Sequence, residues 1–240
     1  MLVEICANSL QSALNAEMGG ADRIELCSEL AVGGITPSYG LLKSIKAHIS
    51  IPVHVLIRPR SGDFTYSDLE FEIMKKDIAI CRDLGFEGIV AGVLHRDFTL
   101  DEERTRSLIE ASGGLHFTFH RAFDWVRDPI STFGKLEHLG VQTLLSSGQK
   151  ISALEGIELL TRLYEKATTC TILPGGGIGM GNVQEFKKRN FKAVHLSGST
   201  SIKKLKTTPL LPMYSQSKLK DDEITVTDLD IVRHIINEAK

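Results

Sequence analysis

Two short apolar runs near the start of the chain carry groups that ordinary core strands do not. In "LVEIC", Glu4 and Cys6 alternate with Val3 and Ile5; in "ADRIELC", Arg23, Glu25 and Cys27 alternate with Ile24 and Leu26. A two-residue period sends each polar set to one side of its strand. Carboxylates gathered with a histidine can trade protons, which makes Glu4, Glu25 and His120 the candidate catalytic groups. Two thiols at matching heights on neighbouring strands, about 4.8 Å apart, can reach one soft ion. Thiolate pairs suit Cu(I), whereas Zn(II) wants four ligands and the chain has no CxxC-type spacing. Small residues filling a narrow space are the competing explanation of the same two cysteines.

The elements that must position these groups recur as one unit: a short β-branched run, a Gly/Ser/Pro-rich turn, then a helix-period stretch. Strands are expected at Leu2–Cys6, Asp22–Cys27, Pro52–Ile57, Gly88–Leu94, His116–His120, Gln142–Ser147, Thr169–Leu173 and Lys192–Ser197. Between them lie helical patterns such as "FEIMKKDIAICRDLG", which puts Phe71, Met74, Ile78, Cys81 and Leu84 on one stripe and stops at Gly85. Eight such units with no break in composition predict one α/β domain over residues 1–240, a parallel sheet with the unit count of a (β/α)8 TIM barrel.

Parallel strands are covered on both faces and usually read as continuous apolar runs. Five strands here alternate instead. Val3, Ile5, Ile24, Leu26, Val53, Val55, Ile57, Phe117, Phe119, Val194 and Leu196 fall on the side that must meet the helices. Glu4, Cys6, Arg23, Glu25, Cys27, His54, Arg58, His116, Thr118, His120, His195 and Ser197 fall on the other, so the barrel interior should be polar. Buried carboxylates need partners, and Arg23, Arg58 and the histidines are the candidates, with Arg58 nearest by expected height. Glu4 and Glu25 are expected in one layer. His116, near a strand's N-terminal end, reads as structural, and Cys81 and Cys170 as small hydrophobes.

Strand C-termini form the functional face of a barrel, and the loops there are polar: "RPRSGDFTYSD", "HRAFDW", "SSGQK", "PGGGIG" and "SGSTS". Arg58 and Arg60 are placed to hold an anion, with Asp124 and Ser147 in the same substrate-binding set. Gly175, Gly176 and Gly177 follow the seventh strand, and Ser197 and Ser199 the eighth, where barrels commonly cradle a phosphate on backbone N–H groups. A tight turn needing small residues explains those glycines equally well. No strand-end lysine stands where a Schiff base would need one.

With 28 basic and 30 acidic residues, net −2, bulk charge gives no reason to expect a nucleic-acid partner. No basic n-region precedes an apolar stretch and no run is long enough to span a membrane, so a cytoplasmic protein with four free thiols is expected. "STSIKKLKTTPLLPMYSQSKLKDDE" reads as an extended, lid-like loop before the last helix around Asp228–Ala239, and "DDEITVTD" as a small extra strand. A homo-oligomer stays open.

The motifs "VEICANS", "GADRIELCSEL", "GGITPSYG", "IPVHVLIRPRSGDFTYSD", "FTFHRAFD", "SSGQK" and "PGGGI" resemble those of the copper homeostasis protein CutC family, over nearly all of the first two hundred residues. The resemblance implies a (β/α)8 barrel, a cytoplasmic location and a role in copper handling, with Cys6 and Cys27 at the positions of that family's Cu(I)-binding cysteines. No organic cofactor is expected. Two positions depart from the pattern: Val32 stands where the family usually has an acidic residue, and Ala193 where it often has Glu. Two function classes follow: a Cu(I)-binding protein, or an enzyme using general acid/base catalysis on a small anionic or phosphorylated substrate.

Overall fold

The computed structural model describes residues 1–207, 209–211, 213 and 221–240. Eight short strands alternate with helices: β1 (Leu2–Ala7), α1 (Leu10–Met18), β2 (Arg23–Leu26), α2 (Tyr39–His48), β3 (Val53–Leu56), α3 (Asp68–Asp83), β4 (Gly88–Ala91) and α4 (Glu102–Ser112) make the first half. β5 (His116–Phe119), α5 (Pro129–His138), β6 (Thr143–Ser146), α6 (Ile157–Lys166), β7 (Thr171–Pro174), α7 (Val183–Lys188) and β8 (Ala193–Leu196) continue the pattern. The strands pair in the order β7-β6-β5-β4-β3-β2-β1-β8. A parallel bridge between Gly175 and His195 joins the two ends, giving the expected (β/α)8 barrel.

Each expected strand is present: six are shorter than expected, the first runs one residue further to Ala7, and the seventh is shifted to Thr171–Pro174. The fourth stops at Ala91 because the chain then turns, Leu94 N–H donating to the Phe64 carbonyl and Leu94 bridging Leu100. Helix α3 begins before Phe71 because Ser67 and Glu70 form a reciprocal capping box. Its buried stripe is Phe71, Met74, Ile78 and Cys81.

The outward set predicted from alternation joins one buried cluster with the helices, from Val3 and Ile5 round to Val194 and Leu196. Each fully buried Val, Leu, Ile or Phe there contributes about 1.5–3 kcal/mol. Inside the barrel the side chains differ by sector. Leu145, Leu173 and Ala193 form one small apolar cluster; Cys6, Cys27, Leu56 and Val90 form another. The remaining interior is polar, and glycine makes room for it: a Cβ on Gly88 would lie 2.5 Å from the His54 ring, and one on Gly92 2.7 Å from His120.

Beyond β8 the chain forms an antiparallel pair, β9 (Ser199–Lys203) with β10 (Glu223–Thr227), before α8 (Leu229–Ala239). The extra strand in "DDEITVTD" is therefore present. The expected loop is a strand over Ser199–Lys203, and part of the rest lies outside the described residues. β10 is tied to α1, where Asn15 Nδ2 donates to the Thr227 carbonyl and Thr227 N–H donates to Ser12 Oγ.

Candidate functional site at the barrel mouth

Register decides which polar groups meet. Glu4 pairs in register with Arg23 on one side and His195 on the other, whereas Glu25 pairs with Cys6 and His54. The two carboxylates are therefore not side by side in register: Glu4 sits beside Arg23, and Glu25 lies two residues nearer the strand C-termini, beside Cys6. Arg23, not Arg58, is the partner of the carboxylate layer, its Nε donating to Glu4 Oε2 at 2.5 Å. His195 Nδ1 lies 2.8 Å from Glu4 Oε1 and 3.9 Å from Glu25 Oε2.

This arrangement drives the two carboxylates apart in acidity. Burial would raise Glu4, but the Arg23 charge and the His195 hydrogen bond outweigh it and hold Glu4 at about 2. Glu25 has no such guanidinium contact. Burial raises it to about 7, with the Glu4 charge adding and the His195 and Arg23 charges opposing. His195 is pushed down by burial, yet the Glu25 and Glu4 carboxylates more than compensate and raise it. One carboxylate is locked ionised; the other is poised to titrate.

Above this layer, Cys6 Sγ lies 3.6 Å from Cys27 Sγ and 4.0 Å from Glu25 Oε1. Ligand atoms of Cys6, Glu25 and His195 all lie within 4.8 Å of one another. The Cys27 contact, burial and the nearby carboxylates keep the Cys6 thiol protonated well above the usual thiol range. Cys81 and Cys170 are buried in the outer core, each pushed up to about 12 by burial.

A cavity of about 600 Å³ opens over these groups, with Cys6, Glu25, His120 and His195 among the residues that line it. His120 is held by an N–H from Ala122 to Nδ1 at 3.2 Å, while its Nε2 finds no hydrogen-bond partner. Burial, then the Arg58 charge, depresses it to about 3, so it is a neutral imidazole at ordinary pH. Glu25 Oε2 is likewise buried without a hydrogen-bond partner. A larger groove of about 1140 Å³ lies outside the barrel against α3 and α4. Two of its three arginines are already paired, Arg60 with Glu70 and Arg104 with Asp68, and its lining includes no cysteine. The Cys6 and Cys27 thiols, Glu25, His120 and His195 gather at the mouth, not in this groove.

The CutC family model matches residues 1–200. The chain belongs to the CutC family. A CutC family protein of Enterobacter is 46% identical over 196 residues, covering 82% of this chain and 79% of the relative. One from Erwinia tasmaniensis is 40% identical over 237 residues, covering 98% and 94%. A crystal structure from Streptococcus agalactiae, assigned as a copper homeostasis protein CutC, has 34% identity and a TM-score of 0.78, covering 82% of this chain and 98% of that one.

Within this CutC-type barrel the sequence-derived positions separate into two groups. Cys6, Glu25, His120, Asp124, Gly176, Gly177 and Ser197 line the mouth. Arg58 also reaches it, but its Nη1 donates to the Val32 and Gly34 carbonyls and its Nη2 to the Gly62 carbonyl, each at 2.8 Å, so it clamps the loops after β2 and β3 while its buried Nε has no partner. Arg60 lines the outer groove, paired with Glu70 at 2.5 Å and Asp63 at 3.2 Å. Asp124 accepts from Ser146, Ser147, Gln149 and Arg121, so it organises the loops after β5 and β6 and uses Ser147 to do so. Gly175 bridges His195, and Ser199 opens β9 with its hydroxyl 2.9 Å from Ser197 Oγ. His116 bonds Thr143 at 2.8 Å and stacks on His54 at 4.8 Å, away from the mouth lining.

Arg121 and Trp125, also at the mouth, have no role in the sequence reading, and His195 is placed there only as an inward-facing residue. The signals were present, since His195 has inward parity two places before Ser197, and Arg121 and Trp125 flank Asp124 in "HRAFDW". The departures also find places. Val32 is 41% exposed on the mouth rim, and Ala193 belongs to an interior apolar cluster. Among the described residues no helix is long and apolar enough to cross a membrane.

Proposed function

We propose that this chain acts in copper homeostasis by holding Cu(I) between Cys6 and Cys27. The observation that carries the reading is the 3.6 Å approach of the two sulfur atoms where Cys6 meets the mouth cavity. Cu(I) prefers soft sulfur donors, and a donor set of two thiols with a carboxylate and an imidazole beside Cys6 fits that ion. The carboxylates that keep the Cys6 thiol protonated also favour a cation there, so Cu(I) replaces the thiol protons and affinity rises with pH. The copper assignment of the Streptococcus agalactiae relative supports the same reading. A cytoplasmic location belongs to it, because reducing conditions keep both thiols free.

Titration of reduced protein against a Cu(I) chelator tests this. Cys6→Ser with Cys27→Ser should abolish competition, while Cys81→Ser and Cys170→Ser should not. Unchanged affinity in the Cys6/Cys27 double variant excludes these two as ligands.

A second reading rests on a different observation: Glu25 Oε2 and His120 Nε2 are both buried without hydrogen-bond partners beside the cavity. Unpartnered buried polar atoms cost stability and concentrate at working sites. In this reading Glu25 transfers a proton to or from a small anionic substrate, His120, whose Nδ1 accepts from Ala122 N–H, donates from Nε2 as a neutral ring, and Glu4 positions His195. Given a turnover, Glu25→Gln should lower kcat far more than it raises KM; equal activity in Glu25→Gln and His120→Asn contradicts it.

A further inference from the structure

The mouth cavity has two unlike walls. On one stand Phe64 and Trp125, ring centroids 4.9 Å apart and steeply inclined at 64°. Phe98 braces Trp125 as well, at 6.1 Å and 82°. Trp125 still leaves 46% of its surface uncovered. Phe98 is itself held at φ +65°, a left-handed conformation that a bulky residue rarely adopts. The turn is fixed by His95 N–H donating to the Thr99 carbonyl and by Thr99 N–H and Oγ donating to Asp97 Oδ1. Such strain persists where its surroundings impose it, and here it sets Phe98 against the indole. An aromatic ring fixed in advance loses little freedom when a ligand lands on it.

The other wall carries a cation. Arg121 Nε donates to Asp124 at 2.8 Å and Nη2 to Ser147 Oγ at 2.9 Å, which orients the guanidinium while its side chain stays 44% exposed. Nη1 has no protein acceptor among the described residues and points beside Gly176, where a Cβ would stand 3.3 Å from it. Arg121 keeps an Nη1 donor at the exposed mouth, whereas Arg58 has both terminal nitrogens on loop carbonyls and only its buried Nε unpartnered, and Arg60 spends its donors at the outer groove.

We propose that the mouth binds a small organic oxyanion, its ring or flat carbon face laid on Trp125 and its phosphate or carboxylate held by Arg121 at the Gly176–Gly177 turn. This names a substrate class for the proton-transfer reading and rests on that reading only for the chemistry that follows binding. A cavity of about 600 Å³ suits a ligand of that size, and apolar contact plus one charged anchor is the usual division of labour in such sites.

Trp125 is the only tryptophan in the chain, so its emission reports on the cavity directly. Reduced protein is titrated with phenyl phosphate, benzoate, inorganic phosphate and phenol, by emission and by calorimetry. At least one of the two aryl anions should bind saturably, with a Kd about tenfold below those of phosphate and phenol. Which aryl anion wins separates a phosphate from a carboxylate ligand. Arg121→Gln should weaken the aryl anion to the level of phenol, and Trp125→Leu, read by calorimetry, to the level of phosphate. Where either melts early, Arg121→Lys and Phe98→Ala replace them, and each should weaken aryl-anion binding. Aryl anions no tighter than phosphate, or binding untouched by these variants, overturns the proposal. Binding without turnover of any ligand of this class sinks the proton-transfer reading and leaves the binding site standing.

Discussion

His195 stands between two carboxylates of unlike character, its Nδ1 2.8 Å from Glu4 Oε1 and 3.9 Å from Glu25 Oε2. Arg23 neutralises the first and leaves the second to the imidazole. The layer is thus asymmetric, structural at Glu4 and titratable at Glu25. The first prediction follows from the structural half. Arg23→Met should strand a fully buried carboxylate and cost about 3–5 kcal/mol in urea unfolding. Arg23→Met with Glu4→Leu should recover much of that loss. A single variant within experimental error of the parent would show that Glu4 does not depend on Arg23.

The second prediction concerns pH. Glu25 is raised from 4.5 to about 7, so between those values the folded chain keeps a proton that the unfolded chain has released. Stability therefore falls as pH rises through that window. His195, whose folded pKa is also raised, works in the same direction, losing its stabilising contribution as pH climbs past its folded value. Glu4, depressed to about 2, contributes stability above its ordinary value and loses it only as the pH falls toward 2. Glu25→Gln should flatten the loss between about pH 5 and pH 8 by on the order of 1 kcal/mol. Chemical denaturation across that range reads it, and parallel curves for parent and variant would contradict the assignment.

The third prediction tests how tightly the interior is filled. A methyl group on Gly88 meets the His54 ring at 2.5 Å, so Gly88→Ala should cost about 1–3 kcal/mol. His54→Ala should offset that cost in the double variant, because it removes the clashing ring. Additive losses would mean that the two positions are independent.

Much of this was legible in the chain because it depends on local alternation. Val3, Glu4, Ile5 and Cys6 declare which side of β1 faces helices and which faces the interior, and His54, His120 and His195 follow the same rule. Register was not legible. The stagger between β1 and β2 places Glu4 opposite Arg23 and Cys6 opposite Glu25, and no residue type announces it. Nor does the His195–Glu4 contact, made across 191 positions of sequence, leave any local trace. Arg58 and Arg60 were read from charge and position at a strand end, but free carbonyls in adjoining loops claimed one and Glu70 and Asp63 the other. Strand β9 was hidden because its partner lies beyond a long polar stretch.

The measurement closest to the central claim is copper K-edge absorption on protein loaded with one equivalent of Cu(I) without oxygen. Coordination by Cys6 and Cys27 predicts a first shell containing sulfur. Sulfur should vanish from that shell in the Cys6→Ser, Cys27→Ser variant and persist when Cys81 and Cys170 are replaced. A shell of nitrogen and oxygen alone in the parent protein, or a sulfur shell unchanged in the Cys6/Cys27 variant, would contradict Cu(I) binding through Cys6 and Cys27.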